Sequence, residues 1–172
     1  REVAEHAGDI SIVHNTAQID ANKQADRLSV VLAVENSIAL EQSLYALDAL
    51  YELGVRTMTI THSARNEAAD GCEVVGGGGL TGFGRQVVAR MNELGMLVDV
   101  SHLNDKSFWD VIDASEKPVI ASHSCCRSLC DNPRNLTDDQ LRALGESGGV
   151  VAITYVPFFV DTQAPTIDGL ID

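Results

Sequence analysis

Four side chains able to bind a metal or move a proton recur at one kind of position in this sequence. Glu35, His62, His102 and His123 each follow or close a short apolar run, at residues 29–34, 55–61, 96–100 and 118–121. A carboxylate with imidazoles is a ligand set that zinc accepts, since both offer oxygen or nitrogen lone pairs of intermediate softness. A single histidine at a strand end is more often held by a neighbouring hydrogen bond than by a metal. Three such histidines with a carboxylate point to a shared site. Spacing alone leaves both roles open. His6 and His14 lie in a less regular stretch and receive no role.

Other motifs carry less. Gly77-x-Gly79-x-x-Gly82 fits the dinucleotide fingerprint, but that fingerprint must follow a strand at once, and Glu67, Asp70 and Glu73 intervene. A mobile glycine-rich loop is expected instead. No Gly-Lys-Ser or Gly-Lys-Thr forms a phosphate-binding loop. Ser101-His102 and Ser122-His123-Ser124 lack the G-x-S-x-G elbow of a serine hydrolase, so these serines are expected to satisfy backbone groups or to support the histidines. Asp99 is expected to hydrogen-bond inside the fold.

The elements that must position these groups alternate in type. Residues 29–34 are a β-branched run expected as a strand buried on both faces. Leu40, Leu44, Leu47, Leu50 and Leu53 then recur at helical spacing, and Gly54 ends the helix over 39–53. Strands at 55–61, 96–100, 118–121 and 150–155 alternate with helices at 82–94, 105–115 and 138–146. Thr137 is placed to cap the last helix, with Asp138 and Asp139 favoured by its dipole. Before Leu28 a helix or two is expected, around Val3 and over 21–27. Five strands and four helices imply a parallel sheet, either open and doubly wound or part of a (β/α)8 barrel. The barrel gathers strand-end side chains on one rim, whereas an open sheet spreads them along a line. The four residues therefore favour an α/β fold of the incomplete TIM-barrel type, with about five consecutive parallel strands.

Composition narrows the partners. The 172 residues carry 12 Lys and Arg against 25 Asp and Glu, a formal charge of −13, which disfavours nucleic acid and anionic membrane surfaces. No apolar run reaches the roughly 18 residues of a membrane-spanning helix. Cys72, Cys125, Cys126 and Cys130 form no C-x-x-C pair, so reduced thiols and a cytoplasmic setting are expected.

From Gly54 to Tyr155 the sequence resembles the zinc-dependent membrane dipeptidase family. The matching words are Leu53-Gly54-Val55-Arg56, Thr59-Ile60-Thr61-His62, Asn66 and Ala69-Asp70, followed by Gly79-Leu80-Thr81-Gly82-Phe83-Gly84. Met91-Asn92-Glu93-Leu94-Gly95-Met96, Val98-Asp99-Val100-Ser101-His102 and Pro118-Val119-Ile120-Ala121-Ser122-His123-Ser124 continue the series. Arg134-Asn135-Leu136-Thr137-Asp138-Asp139 completes it, and with Val34-Glu35 the match covers about 28–160.

The resemblance implies a βα barrel with two zinc ions bridged by a glutamate and a hydroxide, which hydrolyses dipeptides. Glu35 matches the bridging glutamate, and His102 and His123 match the histidines of one zinc. His62 matches the catalytic histidine that touches the scissile carbonyl, and Arg134 an arginine that holds the substrate carboxylate. Three departures stand out. The family's His-x-Asp pair is absent, its proton-transferring aspartate comes from a later strand, and Asn36-Ser37 stands where many members have Gly-Gly. The resemblance therefore implies one metallopeptidase domain over 1–172, cut at both ends, holding at most one zinc site and inactive alone. It implies a dipeptide substrate and leaves open a homo-oligomeric longer protein. The alternatives are another metal-dependent amide or ester hydrolase on the same barrel, or a relative that only binds ligands.

Overall fold

A computed structural model describes residues 8–171, so the expected helix around Val3 lies outside the described residues. The strands are β1 (Ile10–Ile12), β2 (Leu28–Val30), β3 (Leu32–Glu35), β4 (Val55–Thr59), β5 (Leu97–Asp99), β6 (Ile120–Ser124) and β7 (Val150–Ile153). The helices are α1 (Thr16–Gln24), α2 (Leu44–Glu52), α3 (Gly82–Leu94), α4 (Asp105–Ala114), α5 (Asp138–Glu146), α6 (Pro157–Val160) and α7 (Asp168–Ile171). Strands β3 to β7 form one parallel sheet in sequence order, and β1 pairs with β2 in a second, small parallel sheet. A strand order that never reverses has no switch point, which is the order of a barrel and not of a doubly wound sheet. Consecutive helices α2 to α5 pack against one another outside the sheet. The fold is the incomplete TIM-type barrel that the sequence pattern favours.

Local chemistry accounts for most boundaries. Thr137 accepts from the Gln140 backbone while the Gln140 side chain accepts from Thr137, a complete capping box for α5. Thr81 and Asn104 cap α3 and α4 more simply, their side chains accepting from Gly84 N and Ser107 N, and Gly95 (φ 72°) ends α3 in the left-handed region. Three expectations need correction. The run at 29–34 is two strands in two sheets, because the chain leaves β1 and enters the main sheet at Val31; β3 is an edge strand with alternating burial, not a strand covered on both faces. The helix over 39–53 is interrupted, since Glu41 (φ 46°) and Gln42 (φ 60°) turn the chain between a 3₁₀ turn at Ser37–Leu40 and α2. The fourth strand of the main sheet starts two residues late and reaches Ser124.

The core lies between the sheet and its helices. Met58 and Val98 from the strands, with Ile60 and Val100 just beyond them, meet Leu47, Val87, Val88, Met91, Phe108, Val111 and Leu144 from the helices, all essentially inaccessible. Side chains of this kind each contribute about 1.5–3 kcal/mol through burial. Register then sets the rim. Glu35 pairs with Thr59, Thr59 with Asp99 and Asp99 with Ile120, so the four lie on one rung. His62, His102 and His123 each stand three residues beyond that rung.

Candidate metal centre

The three histidines, equally far beyond the rung that carries Glu35, come together with its carboxylate. The Glu35 carboxylate Oε1 lies 3.0 Å from His102 Nε2 and 3.3 Å from His123 Nε2. The two Nε2 atoms are 2.9 Å apart. Among the described residues these three form a group whose ligand atoms all lie within 4.8 Å of one another. His62 stacks on His102, with ring centroids 4.2 Å apart and planes at 30°. The structure thus gathers Glu35, His62, His102 and His123 at one place.

Backbone conformation aims two of them. His102 has φ 72°, a left-handed conformation that costs about 1–3 kcal/mol for such a residue and turns the chain sharply after β5. Asn36, directly after Glu35, has φ 84°. Its Oδ1 accepts from Ile38 N at 3.1 Å and from Asn66 Nδ2 at 2.8 Å. Asn66 also donates to Ile60 O and accepts from Ala68 N and Ala69 N, tying the turn after β3 to the loop after β4. The sequence showed Asn36-Ser37 only as a departure from Gly-Gly. Its positive φ explains why glycine suits that position.

The electrostatics keep the imidazoles neutral. Burial, then the Arg134 charge and the neighbouring histidines, push His102 down to about 3. Burial and Arg134 also lower His123. Each neutral imidazole keeps one nitrogen lone pair, and two of them beside a carboxylate make a donor set that suits a divalent cation such as zinc. The residues present fit a metal, with one carboxylate oxygen and two imidazole nitrogens as ligands.

Arg134 sits behind this group. It is buried, donates from Nη2 to His123 O at 2.6 Å and from Nη1 to Ser124 Oγ at 3.0 Å, and its buried Nε has no partner. No carboxylate among the described residues lies within ion-pair distance of it, and burial works against its charge. Asp99, on the shared rung, is also buried and is joined to Ser122 and so to His123. The hydrogen-bonding role expected of Asp99 from the sequence is thus met, though its link to His123 was not foreseen; its signal was an acidic residue inside an apolar strand.

Two further expectations are settled by the geometry. All four cysteines are free, and burial raises the thiol pKa of Cys72 and Cys125, which disfavours their thiolates. The glycine-rich loop is not a loose segment. Gly79 N donates to Asp70 Oδ2 and Leu80 N to Asp110 Oδ2, both at 3.0 Å, so carboxylates occupy amides that a phosphate would need.

The pattern of the membrane dipeptidase family (peptidase family M19) matches the chain over residues 1–172. Dipeptidase 3 of Mus musculus is 38% identical over 141 residues, which are 78% of this chain and 29% of that protein. An amidohydrolase from Pseudomonas aeruginosa superposes with a TM-score of 0.90 at 31% identity, over 98% of this chain and 52% of the other. A metallopeptidase from Rhodobacter sphaeroides, solved with a phosphinate mimic of the dipeptide L-Ala-D-Ala, gives 0.84 at 29% identity over 96% and 47%. The chain thus spans between about a third and a half of these relatives. With its fold, its ordered motifs and the full-length match in agreement, the chain belongs to the membrane dipeptidase family of metallopeptidases, peptidase family M19.

Proposed function

We propose that the chain contributes one metal site and a carboxylate-binding arginine to a zinc-dependent dipeptidase, and that it lacks turnover by itself. The observation that carries this reading is the convergence of Glu35, His102 and His123 from the ends of β3, β5 and β6. In this assignment those three residues hold the metal. A bound divalent ion lowers the pKa of water and polarises a carbonyl. His62, stacked on His102 at the mouth of the group, contacts the scissile carbonyl of the substrate and stabilises the charge that develops there. Arg134 receives the free carboxylate of a dipeptide. Its hydrogen bonds to Ser124 Oγ and His123 O occupy two of its five N–H groups, and a buried guanidinium without a carboxylate is suited to an anionic partner. The mimic of L-Ala-D-Ala bound by the Rhodobacter sphaeroides relative supports a dipeptide as substrate. The absence of any His-x-Asp pair in the sequence supports one metal per chain and not two.

Zinc content after stripping and reloading tests the reading. About one zinc per chain is expected for the wild type, and loss of it in a folded His102→Ala variant. Full zinc retention in that variant, or a folded wild type that takes up none, would overturn the assignment.

A further inference from the structure

Beyond the ligands themselves, a chain of hydrogen bonds leads from Asp99 to the far side of the His123 ring. The Asp99 carboxylate is buried and accepts only. Oδ1 receives Ser101 N and Ser122 N, both at 3.0 Å. Oδ2 receives Thr59 Oγ1 at 3.0 Å and the Ser122 hydroxyl. Ser122 Oγ in turn lies 2.7 Å from His123 Nδ1. A hydroxyl has one hydrogen, and that of Ser122 is given to Asp99. Ser122 Oγ can then only accept from His123, so Nδ1 carries the ring proton and Nε2 keeps its lone pair toward Glu35 and His102.

We propose that Asp99 and Ser122 are positioning residues that set the tautomer and orientation of His123, holding its Nε2 as an acceptor toward cations. The backbone of His123 is fixed by the same surroundings, with its N donating to Ser101 Oγ at 3.1 Å and its carbonyl accepting from Arg134. His102 has no such arrangement, since its buried Nδ1 has no partner. The two histidines are therefore held by different means: His102 by its left-handed backbone and its stack on His62, His123 by a carboxylate acting through a hydroxyl. The register explains why the sequence can do this. Asp99 is on the rung, Ser122 lies two residues beyond the same rung on the next strand, and β5 pairs with β6 there.

Asp99→Asn makes the sharpest test because it preserves shape. Two backbone N–H groups at Oδ1 hold the amide oxygen there, so the amide NH2 takes the Oδ2 place and donates to Ser122. The serine hydrogen must then turn to His123 Nδ1, and the ring proton moves to Nε2, into the metal position. Nitrogen-15 NMR of the metal-free protein, with His123 signals assigned by loss in His123→Gln, reads the tautomer directly. The wild type is expected to carry its proton on Nδ1 and Asp99→Asn on Nε2, with zinc affinity falling about 10- to 100-fold. Ser122→Thr, which keeps the hydroxyl, is expected to retain the wild-type tautomer and affinity, whereas Ser122→Ala loses the preference.

A wild type protonated on Nε2 would overturn the proposal. So would a folded Asp99→Asn that loses affinity with its tautomer unchanged, since the loss would then be structural. The metal part rests on the assignment of Glu35, His102 and His123 given above, but the tautomer does not. A switch of tautomer in a protein that binds no zinc would uphold the relay and overturn the metal site alone.

Discussion

Asn36 shows how one residue fixes the place of a ligand. The carboxylate of Glu35 is useful only if the chain turns directly after it, and Asn36 makes that turn at φ 84°, ψ 113°. Its side chain compensates by accepting from Ile38 N and Asn66 Nδ2. Asn36→Ala removes both bonds and keeps a Cβ in an unfavourable conformation. Asn36→Gly removes the same bonds but relieves the strain, worth about 1–2 kcal/mol. Urea unfolding is therefore expected to rank wild type above Asn36→Gly above Asn36→Ala, with the alanine variant down by about 2–3 kcal/mol. An alanine variant equal to the glycine one would show that the turn relaxes without cost. The sequence revealed Glu35 as a ligand candidate through its place after a strand. It did not reveal the turn, because a positive φ at Asn leaves no periodic trace.

At the scale of elements, legibility followed how local the cause was. Helices α3, α4 and α5 were readable almost to the residue, since caps such as Thr137 and the stop at Gly95 are written next to the helix they bound. The division of residues 29–34 between two sheets was not, because both halves are β-branched and only the partners, β1 and β4, distinguish them. The glycine-rich loop was misread as mobile for a similar reason: its anchors are distant in sequence. Asp110 on α4 accepts from Leu80 N and from Lys106 Nζ at 2.6 Å, and Asp70 from Gly79 N and Arg65. Hydrogen bonds and ion pairing with Lys106 outweigh burial and lower the Asp110 pKa, and Arg65 chiefly does so for Asp70. A lowered folded pKa means stability that is present above the unfolded value of about 3.9 and lost as the pH falls through the folded one. Acid is thus expected to release this loop, with hydrogen exchange at Gly79 and Leu80 gaining on the remaining core amides below about pH 4. Asp110→Asn should remove part of that pH dependence. Unchanged relative protection down to the acid transition would show that the carboxylates are not what anchors the loop.

At the scale of the whole molecule, a sheet of five parallel strands has two ends that helices cannot cover. Strands β3 and β7 each pair on one side only. Along and beyond β7 the chain exposes Val150 (63%), Tyr155 (80%) and Phe158 (58%), so an unpaired backbone edge coincides with an apolar one. Such edges favour pairing with another chain. The formal charge of −13 opposes this by mutual repulsion. The two contributions respond differently to salt, which screens charge and leaves apolar contact intact. This 172-residue chain is therefore expected to self-associate, and more strongly as ionic strength rises, in light scattering coupled to size exclusion. Charge at the edge should reverse it. Val150→Lys with Ile153→Lys places two cations on exposed positions of β7 without touching Glu35, His102 or His123. A monomeric double variant with wild-type zinc binding would assign association to the edge. Association that persists in it, or that weakens with salt, would place the contact elsewhere and make it electrostatic.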